Sequence, residues 1–195
     1  EDIKSFGAIS GTGWAGPGVV CVAADKGTVV VSSTGVPLAD YETAKGRVVT
    51  GDVYQEGSLK AIADGAISLK ALEGKKVGVV SGDLNGLDKV VQAGLVDYLK
   101  GKGVNVVAYE VIGCGGKSSC GEGVQTAVEN MRNAGVDVLF PTLNIVSQPG
   151  LFKEMSVQGL KPKIFQSNFN SMAGDLTSSK VFDFGGAEAA EIYKG

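Results

Sequence analysis

The chain has 195 residues, 44% of them hydrophobic, and a mean hydropathy of +0.15, which is enough for one large or two small domains with a real core. Its net charge is −3, and its 18 Lys and Arg form no basic stripe or tail; this argues against nucleic-acid binding, and no apolar run approaches the ~18 residues of a membrane span. Histidine is absent, so Ser-His-Asp and Cys-His machinery cannot be assembled from this chain alone, whereas Lys, Tyr and carboxylate chemistries stay open.

In chain order, residues 5–10 predict a first strand, followed by the glycine loop GTGWAG and a helix over 16–25. A second strand covers 28–33 and ends in Ser32-Ser33-Thr34-Gly35. Residues 36–44 read as a looser stretch, because Pro37 bars regular sheet there. Residues 47–50 predict a third strand. Leu59, Ile62, Ala66, Ile67 and Leu69 then recur at helical spacing over 56–72.

From Lys75 to Ser167 one unit repeats four times: an apolar strand, a loop, an amphipathic helix. The strands read KKVGVVSG, VNVVAYEV, VDVLFPTL and PKIFQS. The helices between them read LDKVVQAGLVDYLKGKG, VQTAVENMRNAG and LFKEMSVQGL. Continuous apolar runs such as 77–80 and 136–140 suit strands buried on both faces, and helices of crossover length follow them. This predicts an α/β class: a doubly wound parallel sheet whose ligands bind at the carboxyl ends of its strands. Residues 1–74 supply at most three strands, thin for a core of their own, so the domain boundary is expected at 72–76. Past Ser167 the pattern loosens, with helical turns expected only over 188–193. The start, EDIKSF, has neither initiator Met nor signal peptide; a processed precursor or a start within a longer polypeptide is expected.

Cys114 and Cys120 flank the loop CGGKSSC and reach disulfide geometry easily. Two thiols without His fill only half of a tetrahedral metal shell, and a pair of idle thiols is the bland alternative. A disulfide implies an exported protein, and no metal site is expected. Cys21, in an apolar helix, reads as a buried small hydrophobe.

GTGWAG, Gly11 to Gly16, matches the dinucleotide fingerprint G-x-G-x-x-G. The acidic residue that should end the second strand is missing; Ser32-Ser33-Thr34 stand there, and the next carboxylate is Asp40, beyond Pro37. No nucleotide cofactor is therefore expected. Hydroxyls and backbone N–H groups at Gly11, Thr12, Ser32, Ser33 and Thr34 suit a small anion instead, with turn chemistry as the plainer use of the same residues. Trp14, the only tryptophan, either stacks on a ligand or covers the first helix.

The succession FGAISGTGWAGPG, GTVVVSSTGVPLA, KKVGVVSGDLNGLDKVVQAGLVDYLKGKGVNVV, TAVENMRNAGVDVLF, GLKPKIFQSNF and GGAEAAEIYKG resembles the type I periplasmic solute-binding proteins. Within them it looks most like the branched-chain amino-acid-binding family of ABC transporters. The resemblance implies two α/β lobes joined by a hinge, with ligand trapped between them and a length about twice this one. On that basis residues 1–74 are part of the first lobe. Residues 75–195 are the second lobe with the segment that returns to the hinge, and this stretch alone should bind ligand poorly.

The resemblance also implies that Gly11, Thr12 and Trp14 with Ser32, Ser33 and Thr34 clasp a ligand carboxylate. From the second lobe it implies contacts at Asn85, at Thr142 and Asn144, and at Asn168 and Phe169. Amino-acid binders often carry an aromatic residue in the first of these loops and an acid near the last. Here Leu84-Asn85 and Asn168-Phe169-Asn170 stand there, which suits a neutral polar or amide ligand as well. The implied role is non-enzymatic, without cofactor: an extracytoplasmic monomer that passes a small molecule to a membrane permease. A receptor or regulator sensing domain, or a nucleotide-dependent enzyme, are the alternatives.

Overall fold

The structure, a computed structural model, describes residues 6–10, 17–166 and 175–194. The chain divides into two compact units, Glu1–Ser58 and Leu59–Gly195.

The first unit alternates strands and helices: β1 (Gly7–Ser10), α1 (Pro17–Asp25), β2 (Val29–Ser32), α2 (Leu38–Ala44) and β3 (Val48–Thr50). Its sheet is parallel, in the order β1-β2-β3, with Ala8, Val30 and Val48 in one register row. That row is sealed by Val19 and Ala23 of α1, Ala44 of α2, and Val36. α2 lies in the stretch expected to be loose. Pro37, read as a strand breaker, immediately precedes the helix, where its fixed φ does no harm, and Lys45 ends it in the left-handed conformation.

Cys21 is exposed rather than buried. Val19 and Ala23, four apart, face the sheet, and position 21 falls on the opposite side of α1. Its Sγ donates to Asp25 Oδ2 at 3.4 Å, and this hydrogen bond together with the Asp25 charge raises the thiol pKa. Unreduced protein should therefore show one alkylatable thiol that reacts slowly at pH 8, and Asp25→Asn should speed it several-fold. Equal rates in both proteins would remove Asp25 as the cause.

α3 (Gln55–Ser68) spans the division between the units. The sequence placed that boundary at 72–76. The compact units divide after Ser58, and Leu59, Ala63 and Ala66 of α3 belong to the core of the second unit.

The second unit holds β4 (Val77–Gly82), α4 (Leu87–Val91), a π-helical segment (Gln92–Val96), α5 (Asp97–Gly101) and β5 (Val106–Ile112). It continues with α6 (Val124–Ala134), β6 (Val138–Thr142), α7 (Gln148–Gln158), β7 (Lys163–Ile164) and α8 (Asp175–Lys194). Its strands are parallel, in the order β5-β4-β6-β7. Val77, Val79, Val138 and Phe140 point to one face, under α3, α4 and α5; Val80 and Leu139 point to the other, under α6, α7 and α8. Every residue of β4 and β6 is buried, which is why both read as unbroken apolar runs.

Two features depart from the sequence reading. PKIFQS yields only the two-residue β7, and α8 begins at Asp175, with a break at Gly186, rather than at 188. Pro141 is tolerated inside β6 for a related reason. Residues 137 and 139 bond toward β7, so Pro141 faces that side, and β7 has already ended at Ile164.

Candidate functional site

In the second unit the chain runs from β4 to β5 on one side, then crosses back to β6 on the other. The loops that leave β4 and β6 consequently diverge, and the crevice outside their carboxyl ends is the topological switch point at which such sheets hold ligands. Asp83, Asn85, Thr142 and Asn144 all stand at these strand ends.

The crevice is bordered by the loop after β5. Cys114 and Cys120 are disulfide-bonded across it, and Gly113 pairs with Glu122 at its neck. Two strand ends are tied to this loop. The Cys114 N–H donates to Asp83 Oδ1 at 2.8 Å, after β4. The Cys120 N–H donates to Ser147 Oγ at 2.8 Å, after β6. Asn144 Nδ2 donates to the Ser118 carbonyl at 2.8 Å, while Asn144 Oδ1 accepts the Ser147 N–H and hydroxyl at 3.1 and 2.7 Å. The disulfide sulfurs lie over Gly82, the last residue of β4, where a Cβ would stand 2.6 Å from Cys120 Sγ. The platform is thus rigid and buried at its base.

This network separates the residues the sequence grouped together. Thr142 is buried, and its hydroxyl donates to the Val80 carbonyl at 2.7 Å, stitching β6 to β4. Both lone pairs of the buried Asn144 carbonyl oxygen are occupied within the unit. Asn85 is exposed, in the left-handed conformation, on the turn that leads into α4. Asn168 and Phe169 lie outside the described residues. Sequence reasoning missed Asp83, Ser118 and Ser147, whose roles depend on a disulfide loop folding back over two other strand ends. Only the pairing of the cysteines hinted at it.

The first unit presents a second strand-end surface. The loop after β2 is sewn to the one after β3: the Gly51 N–H donates to the Ser32 carbonyl at 3.2 Å, and Gln55 Nε2 to the Gly35 carbonyl at 3.1 Å. Gly35 passes so close to Val53 that a Cβ there would lie 1.9 Å from the Val53 carbonyl oxygen. Ser32 is buried, and its Oγ accepts the Thr34 N–H at 3.4 Å, while Ser33 is exposed. Thr34 Oγ1 is buried and has no hydrogen-bond partner among the described residues. A buried hydroxyl without a partner is unfavourable by about 1–3 kcal/mol, which sets Thr34 apart from the other hydroxyls of this loop. Gly11, Thr12 and Trp14 lie outside the described residues.

No protein-family model and no curated protein matches the chain. Solved structures do. An ABC-transporter solute-binding protein from Rhodopseudomonas palustris in complex with benzoate matches at a TM-score of 0.67 and 15% identity, over 86% of this chain and 45% of that one. Another from R. palustris, in complex with 4-hydroxybenzoate, matches at 0.61 and 14%, over 94% and 55%. A third, from R. palustris BisB5 with 3,4-dihydroxybenzoic acid, matches at 0.61 and 16%, over 80% and 41%. The chain therefore has the fold of the lobes of periplasmic solute-binding proteins, and spans about half the length of the structures it matches.

Proposed function

We propose that the chain is the ligand-binding part of an extracytoplasmic solute-binding protein that delivers a small carboxylate-bearing molecule to an ABC-transporter permease. The observation that carries this reading is the match to such proteins over 80–95% of the chain. A carboxylate is common to the benzoates of those complexes and to the amino acids bound by the branched-chain family that the sequence resembles. Thr34 Oγ1 is the hydroxyl offered to it, on a loop held by Ser32. Ser33 and, outside the described residues, Gly11, Thr12 and Trp14 complete the contacts proposed for the first unit; Asn85, with Asn168 and Phe169 outside the described residues, is proposed to serve the strand-end crevice of the second. Thr142 and Asn144 shape the floor. The Cys114–Cys120 disulfide supports an oxidising compartment. The reading assigns no catalytic residue and no cofactor.

Calorimetric titration of the product of the complete reading frame tests it, with benzoate, 4-hydroxybenzoate, leucine and a neutral amide as ligands. At least one carboxylate should bind. Thr34→Ala should weaken it about tenfold or more, since 1.4 kcal/mol is a factor of ten, whereas Lys102→Ala and Lys163→Ala should leave affinity unchanged. Binding of the amide alone, or wild-type affinity in Thr34→Ala, would overturn the carboxylate reading.

A further inference from the structure

Helices α7 and α8 flank a cavity that is separate from the strand-end crevice. Its volume is about 390 Å³, within the range of small-molecule pockets, and it is lined by Val146, Pro149, Gly150, Lys153, Lys180 and Phe184. The loop after β6 divides its side chains between the two places. Asn144 and Ser147 turn to the disulfide loop, whereas Val146 turns to α8 and stays 45% exposed. Phe184, on the opposite wall, is 65% exposed.

The charge of the walls has one sign. Two lysines line the cavity and no carboxylate does. Among the described residues neither Lys153 nor Lys180 forms an ion pair, although Lys161 and Lys194 do. Lys180 is partly buried, and residues 167–174, which precede α8, contain no Asp or Glu. A partly buried cation without a counter-charge favours an anion beside it. Gly150 is an independent sign. It lies in α7 without a left-handed φ, where glycine is a poor helix former. A Cβ there would meet no atom within 4 Å. Neither backbone conformation nor packing demands glycine, and its missing side chain keeps the cavity open.

We propose that this cavity binds a small organic anion with an apolar, preferably aromatic, body. Lys153 and Lys180 meet the anionic head by charge-assisted hydrogen bonds. Val146, Pro149 and Phe184 cover the body, the Phe184 ring being offered for stacking. A bare inorganic anion would leave the apolar wall wet, and a neutral aromatic molecule would leave both cations unanswered. The cavity lies wholly in the second unit, so the proposal does not depend on the carboxylate reading of Thr34.

Calorimetric titration of the product of the complete reading frame tests it, with phenylphosphonate, inorganic phosphate and benzyl alcohol as probes. Phenylphosphonate should bind with a Kd of about 1 mM or tighter, and the other two at least about tenfold more weakly. Lys153→Gln/Lys180→Gln and Gly150→Leu should each remove this equivalent of phenylphosphonate while leaving the melting temperature within about 2 °C. Thr34→Ala should retain it. Wild-type stoichiometry and affinity in either lysine or glycine variant, or loss of the equivalent in Thr34→Ala alone, overturns the proposal. So does the absence of saturable phenylphosphonate binding by about 10 mM. Phosphate binding as tightly as phenylphosphonate overturns it too, because the apolar wall would then contribute nothing.

Discussion

Asn144→Ala should lower stability by about 2 kcal/mol, with a local consequence that a generic core defect would not produce. The side chain satisfies the Ser147 N–H, the Ser147 hydroxyl and the Ser118 carbonyl at once, in a site only 5% exposed. Alanine removes the acceptor of the buried Ser147 hydroxyl, which is unfavourable by about 1–3 kcal/mol, and the donor to the Ser118 carbonyl, while the Ser147 N–H keeps the backbone carbonyl of residue 144 at 3.0 Å. Ser147 also holds the Cys120 N–H, so the disulfide loop should loosen with it. Urea denaturation gives the first number. The second readout is the rate at which dithiothreitol reduces Cys114–Cys120 under native conditions, expected to rise at least tenfold. A stability loss without faster reduction would mean that Asn144 does not anchor the loop.

Gly82→Ala should lower stability by about 2 kcal/mol, although the site lies at the end of a strand where alanine is ordinarily welcome. The new methyl would sit 2.6 Å from Cys120 Sγ and 3.2 Å from Cys114 Sγ, and the sulfurs are tied to each other and cannot swing aside. Overpacking of this kind typically costs about 1–3 kcal/mol. The diagnostic is non-additivity. Removing the disulfide by Cys114→Ala/Cys120→Ala should itself lower stability by about 2 kcal/mol. In that background Gly82→Ala should be nearly neutral, because the space is vacated. Additive losses would show that the glycine is required for its backbone and not for the sulfurs.

The two sites differ in how far the sequence revealed them. Ser32 and Thr34 were singled out because they end a strand where a dinucleotide binder needs an acid, and the chain places them on a loop braced by Gly51 and Gln55. Thr142 and Asn144 were singled out by the same positional rule. Their polar atoms, however, are engaged by Val80, Ser118 and Ser147, and periodicity cannot tell a side chain that serves the floor from one that faces the crevice.

Local residue pattern sets the alternation of strands and helices and the burial of β4 and β6, because a strand covered on both faces must be apolar at every position. It also pointed to the disulfide, since CGGKSSC brings two thiols together locally. Tertiary structure alone decided the rest. α3 delivers Leu59, Ala63 and Ala66 to the second core, Cys21 turns outward on α1, and α2 forms behind Pro37. The loop after β5 joins the ends of β4 and β6 through Asp83 and Ser147. Each of these depends on which face of an element meets a neighbour distant in sequence. Local spacing sets the pattern of an element, but the order of strands in the sheet sets which neighbour that pattern meets.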